Sequence, residues 1–196
     1  QAANITYILP ADDGDAGQVL STNGTGTLDW VADSSGGFTL GTEQASTSGT
    51  TITFTGIPSG TKMIVINLFG VSTNGSSPYL VQLGDSGGIE IDGYLGSNSY
   101  VGSSSAGANS AAGLLLNNGG AVVASIICHG SAVLILEDST QFTWILHSIV
   151  GRSDDVFTFF GGASKSLSAE LTQVRITTVN GTDGFDAGAI NIMYQS

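Results

Sequence analysis

The sequence predicts an all-β fold on three observations. Gly, Ser, Thr and Asn make up 84 of the 196 residues, and these small residues suit tight turns. The apolar residues between them are rich in Val, Ile and aromatic side chains, which favour extended backbone. No window sustains the i, i+3, i+4, i+7 stripe of an amphipathic helix, because glycine interrupts nearly every candidate. Hydrophobic residues still reach 41%, enough to fill a core.

Taken in order, residues 1–37 read as a short β-rich stem and linker. Ile5, Tyr7 and Leu9 alternate with polar positions, and Pro10 with the Asp12-Asp13-Gly14-Asp15 cluster turns the chain. Short strands at 18–21 and 28–31 flank an Asn23-Gly24 turn. A unit this small cannot bury a core alone and needs a neighbour, which copies of itself would supply. Residues 33–37, Asp-Ser-Ser-Gly-Gly, predict a flexible joint.

Residues 38–196 read as one domain, an antiparallel β-sandwich or jelly roll. Strands are expected near 38–43, 50–55, 61–71, 78–83, 89–95 and 113–116. Six more follow near 121–128, 131–137, 141–150, 156–160, 168–179 and 188–194. Turn chemistry separates them at Pro58-Ser59-Gly60, Asn74-Gly75, Asn118-Gly119 and Asn180-Gly181. Residues 102–113, small and polar, predict a long surface loop. The uncharged run 119–136 is long enough for a membrane helix. His129-Gly130-Ser131 at its middle and its many β-branched residues predict two strands around a turn instead.

Charge excludes whole classes of function. Only 10% of residues are charged, and 16 acids face four bases, for a net charge of −12. Such a surface cannot neutralise a run of phosphates, so neither nucleic acid nor an anionic membrane is an expected partner. A single cysteine, Cys128, rules out an internal disulfide and a cysteine-rich metal site. No charged segment followed by an apolar one opens the sequence, so no signal peptide is read.

Two stretches, 64–69 and 142–149, are largely apolar on both faces. Phe142, Trp144 and Leu146 point one way, Ile145 and Ile149 the other. A solvated antiparallel strand alternates apolar-in and polar-out, so these strands predict a sheet face packed on another subunit, the alternative being a central strand covered by a loop of the same chain.

Catalytic parts are scarce. His129 and His147, the only histidines, lie in or beside apolar strands, and Cys128 beside His129 would point to the opposite face. Glu137-Asp138 and Asp154-Asp155 read as solvated turn acids. Asp12, Asp13 and Asp15, like Asp183 and Asp186, match no calcium-loop spacing. Gly84-Asp-Ser-Gly-Gly88 lacks the lysine and helix of a phosphate loop. No catalytic residue, metal or cofactor is expected. Tyr79, Tyr94 and Tyr100 sit beside Ser-, Asn- and Gly-rich loops, with Asn98 and Asn109 near. Together these five form the expected ligand patch.

Two runs resemble segments of bacteriophage tail-fibre and related virion fibre proteins. One is Tyr7-Ile-Leu-Pro-Ala-Asp-Asp-Gly-Asp-Ala-Gly-Gln-Val-Leu-Ser-Thr-Asn-Gly-Thr-Gly-Thr-Leu-Asp-Trp30, similar to a recurrent stem segment. The other is Val174 to Tyr194, similar to the closing strands of a distal head. Ser48 to Pro58 and Leu83-Gly-Asp-Ser-Gly-Gly88 fit the same group. The resemblance implies a homotrimer, a number that periodicity does not give, with an intertwined stem and an exposed β-sandwich head. It implies adhesion to a host-surface glycan or protein, and attachment to other virion proteins through the N-terminal side. The expected subunit interface is Ile5, Tyr7, Leu9, Trp30, Phe142 and Trp144. A capsid-attached decoration protein and a polysaccharide-degrading fibre are the alternatives.

Overall fold

The computed structural model describes residues 6–33, 36–124 and 126–196. The expected interface position Ile5 lies outside them. The chain divides into two compact units, Gln1–Gly37 and Phe38–Ser196. Among the described residues there is no α-helix; one short 3-10 turn, Gly119–Ala121, interrupts an all-β architecture of antiparallel sheets.

In the smaller unit, β1 (Gln18–Thr22) pairs with β2 (Leu28–Ala32), placing Leu20 opposite Trp30. The turn between them closes on one side chain: Asn23 Oδ1 accepts from the Thr25 and Thr27 amides at 2.9 and 3.2 Å. The Trp30 ring packs against Gly14, where φ is +70° and a Cβ would stand 2.6 Å from the indole, so only glycine fits there. Trp30 Nε1 donates to Asp12 O at 3.1 Å. Tyr7, Ile8, Leu9, Val19, Leu20 and Val31 remain exposed, as expected of a unit too small to enclose a core.

The larger unit holds two sheets. The strands β3 (Thr39–Leu40), β4 (Gln44–Ala45), β6 (Met63–Thr73), β9 (Leu95–Val101) and β10 (Ser105–Ser110) belong to a nine-stranded sheet. So do β12 (Cys128–Asp138), β13 (Thr143–Arg152), β14 (Thr158–Ser166) and β16 (Phe185–Gln195). Their order is β10-β9-β14-β13-β12-β6-β16-β3, with β4 also on β16. The five-stranded sheet runs β11-β7-β15-β5, with β8 on β7. Its members are β5 (Thr51–Thr55), β7 (Tyr79–Asp85), β8 (Gly88–Ile89), β11 (Leu114–Leu115) and β15 (Gln173–Thr178). Ile64, Ile66, Leu134 and Leu146 of the large sheet share one core with Val81, Leu83, Val174 and Ile176 of the small one, the arrangement of a β-sandwich.

Alternation along each strand sets the layers. On β13, Trp144, Leu146, Ser148 and Val150 are buried, while Ile145, His147 and Ile149 are exposed. Gly130 meets Ile149 of the neighbouring strand so closely that a Cβ would stand 2.2 Å from the Ile149 carbonyl oxygen, and its φ is +148°.

Three departures from the expected strands have physical causes. Residues 105–110, expected in a loop, form β10 instead; Ser, Ala, Gly and Asn give no hydrophobic signal, and every residue but half-buried Ser110 is exposed. Of the strand expected at 121–128, Ala121 closes a 3-10 turn instead, held by Asn118 Oδ1 accepting from the Gly120 amide, and residues 122–124 and 126–127 are irregular. β12 begins at Cys128 and runs through His129-Gly130-Ser131, where a turn was expected. The strand expected at 89–95 splits, its two ends entering different sheets.

The chain enters this unit at the end where it also finishes, since Thr39 pairs with Tyr194 and Met63 with Gln195. Turns 74–78, 102–104, 153–157 and 179–184 gather at the opposite end.

Candidate functional site

The residues expected to form a ligand patch are mostly core residues. Tyr79, Tyr94 and Tyr100 are 0%, 1% and 5% exposed, which corrects their reading as surface platforms. Tyr94 is buried because its hydroxyl finds backbone partners inside: it accepts from the Leu83 amide at 2.6 Å and donates to Glu90 O at 3.1 Å. Burial raises its pKa above the ordinary phenol value, and does the same for Tyr79. Tyr100 packs edge-on to Phe157 and Phe159. Asn98 is buried too, donating to Leu115 O at 3.0 Å and accepting at its carbonyl from Asn118 Nδ2 at 3.2 Å. Asn109 alone of the five is exposed, on edge strand β10.

The expected interface residues separate in the same way. Tyr7 and Leu9 are exposed and Trp30 half-buried in the smaller unit. Trp144, 2% exposed, lies in the core of its own chain, so it is corrected from interface to core. Phe142 packs against that core from a left-handed backbone with φ of 49°, closing a turn that Asp138 Oδ1 holds by accepting from Thr140 and Gln141. The two-sided pattern of β13 does persist, but its outward set is Ile145 and Ile149.

That outward set belongs to a larger surface. Strand register aligns three rows on the solvent face of the nine-stranded sheet. The first reads Leu95, Ser164, Ile145, Ile135, Met63, Gln195. The second crosses Asn109, Ser97, Gly162 and His147, then continues through Val133, Val65, Met193 and Leu40. The third runs from Gly107 and Ser99 over Phe160 and Ile149 to Ser131, Asn67 and Asn191. No position in these rows carries a formal charge, in a chain whose net charge is −12. Ile149 is 65% exposed, Leu95 75% and, just beyond the rows, Phe69 72%. His129 lies beside Phe69, accepting from the Gly70 amide through Nδ1 at 3.2 Å. Sequence reasoning found the two-sided strands but not the breadth of this face, which only the pairing order creates.

Glu137 borders the first row, lining a groove with Met63, Ile135 and Gln195. Several of the other acids hold structural contacts. Asp154 binds the Arg152 guanidinium, which lowers its pKa most, and accepts from the Ile127 amide at 3.0 Å. Asp85 is lowered chiefly by the Ser168 hydroxyl at 2.5 Å. Burial presses the Glu90 pKa upward, and Lys165 with the Ser168 amide more than reverses it. Asp138 and Glu170 also move down. A general acid of a glycosidase needs the opposite direction. In the smaller unit Asp12, Asp13, Asp15 and Asp29 line a groove with Gln18 and Trp30. Among the described residues, no group of three or more His, Cys, Asp or Glu is placed to hold a metal, and no helix is long and apolar enough to cross a membrane. The chain matches no known protein-family model, no curated protein and no solved structure at a significant level.

Proposed function

We propose that this chain is a virion fibre protein that assembles with copies of itself, as a homotrimer, and adheres without catalysis to a glycan or protein on the host cell surface. The observation that carries the reading is the broad uncharged, largely apolar face of the nine-stranded sheet in a strongly acidic chain. Identical copies repel one another wherever their acids meet, and this face is where they can approach. Exposed Tyr7, Ile8 and Leu9 in the smaller unit support the same conclusion, since that unit also needs a partner. The resemblance of the two terminal runs to virion fibre proteins supplies the setting, with attachment to other virion proteins through the N-terminal side. Three weak identical sites on one assembly would then bind a cell surface by avidity.

Native mass by light scattering, with and without residues 1–37, tests the assembly. A trimer has a mass of about 59 kDa, three times the 19.8 kDa chain. A stable monomer at micromolar concentration overturns the reading. Labelled protein on a panel of bacterial strains tests adhesion; a trimer that binds none of them favours the decoration role instead.

A further inference from the structure

The four bases of this chain are not treated alike. Arg152 has the carboxylates of Asp154 and Asp155 beside it, and Lys165 has Glu90. Arg175, like Lys62, has no carboxylate within ion-pair distance among the described residues, although acids outnumber bases four to one. It lies on β15 between Val174 and Ile176, which face the core, so its side chain is on the sheet face turned away from the core. Gln82, opposite it on β7, accepts from Nε at 3.0 Å and Nη2 at 2.7 Å through Oε1. That neutral partner fixes the guanidinium plane and occupies one edge of the fork. The Nη1–Nη2 edge is left for an acceptor. Arg175 lines a groove with a volume of about 340 Å³ and is the only charged residue of its lining. Leu80, Ile91 and Val179 give it apolar walls, and Thr51, Thr178 and Asn180 polar ones.

We propose that this groove binds a carboxylate-bearing sugar residue, with the carboxylate on the free edge of Arg175. A planar guanidinium held in place is suited to bidentate carboxylate recognition, and a local positive site in an acidic protein selects the anion that fits it. The volume falls in the range of small-ligand clefts, and mixed aliphatic and hydroxyl walls match the alternating C–H and O–H surface of a sugar ring. The groove and the uncharged sheet face lie on opposite sides of the sandwich, so assembly through that face leaves the groove open. The guanidinium geometry stands by itself; the choice of a saccharide over an acidic peptide rests on the adhesion reading above.

The test is a nuclear magnetic resonance titration of the full chain with methyl β-D-glucuronoside, methyl β-D-glucoside and a glutamate-rich peptide. The glucuronoside is expected to shift the amides around Arg175, Gln82 and Thr177, with affinity at least tenfold above the neutral glucoside and falling as salt is added. Arg175→Gln is expected to abolish the difference between the two sugars, and Arg175→Lys to retain part of it. Equal binding of both sugars by the unaltered chain, or an unchanged preference in Arg175→Gln, overturns the proposal. So does a peptide that binds the groove more tightly than the glucuronoside. Glucuronoside binding by a chain that adheres to no cell would instead count against the adhesion reading alone.

Discussion

Ile149→Glu is the substitution that most directly probes the proposed assembly. Ile149 is 65% exposed at the centre of the uncharged face, between Ser131 and Phe160 on the flanking strands. Burying the rest of it in a contact with a second copy contributes about two-thirds of an isoleucine transfer, roughly 1–2 kcal/mol per copy. The glutamate loses that term and brings a carboxylate into a drying contact, at several kcal/mol if it stays ionised. A combined loss of about 4 kcal/mol raises Kd roughly a thousandfold. The whole face sets the scale: the exposed parts of Ile135, Ile145, Ile149, Phe160, Leu95 and Leu40 with Phe69 amount to about four complete side chains, or roughly 6–12 kcal/mol per copy. Association entropy costs a comparable amount, so the assembly has little to spare. Folding of the single chain should change by no more than about 1 kcal/mol, the span of strand propensities. Sedimentation velocity over a dilution series, paired with thermal melting, reads both quantities. Ile149→Thr keeps the β-branch and should fall between glutamate and wild type. A glutamate variant that assembles as tightly as the wild type would refute the reasoning.

Three further outcomes follow from buried charge and burial. Glu90→Gln leaves the Lys165 ammonium, 6% exposed and 5.5 Å from the Tyr94 ring centre, without its carboxylate, at a cost of about 3–5 kcal/mol by urea unfolding. Lys165→Met should cost less, because Glu90 keeps the Ser168 amide at 2.8 Å; the reverse order would contradict this account. Acid should destabilise the fold: the carboxyls of Asp154, Asp85 and Glu90 are held below their ordinary values of 3.8, 3.8 and 4.5. The unfolded chain therefore takes up protons first as pH falls, and their contribution is complete above those ordinary values and lost below them. Tm should be level from pH 8 to about 5 and then drop, and a Tm that rises through pH 4 would oppose it. Burial pushes the Cys128 thiol up to about 12, against a smaller lowering by Asn117. A disulfide-exchange reagent should leave the native chain untouched at pH 8 and titrate one thiol after denaturation.

How much of this was legible in the sequence depends on how local the deciding contacts are. The Asn23-Gly24 turn and its two strands are fixed by neighbours, and they were readable as such. The two apolar faces of β13 were readable too, but which faces inward was not. That choice is made by Val81, Leu83, Val174 and Ile176 on the other sheet, so Trp144 went to the core and Ile149 to the surface. The loop-flanking tyrosines misled for a related reason. A hydroxyl invites a surface reading, yet Tyr94 satisfies its own on backbone atoms that only the folded sheets bring near. Arg175 carried a signal that composition arithmetic could have caught, being a base amid Val174, Ile176 and a run of threonines. That it has no acid partner among the described residues is visible only once Gln82 is seen across from it.

The placement of the acids ties the two proposed surfaces together. Asp138 holds the β12–β13 turn, Asp154 the turn after β13, and Asp183 the β15–β16 turn, where its carboxylate accepts from Ser77 and Asn180. Turn-capping concentrates the negative charge at the ends of the larger unit and leaves the three rows across the nine-stranded face without any. Copies carrying a charge of −12 each would then repel end to end and meet side by side, face against face. Side-by-side packing would also leave the far-end turns and the Arg175 groove directed at solvent, as the proposed adhesion requires. The same turn chemistry that makes this chain fold as strands would thereby set the direction of the proposed assembly.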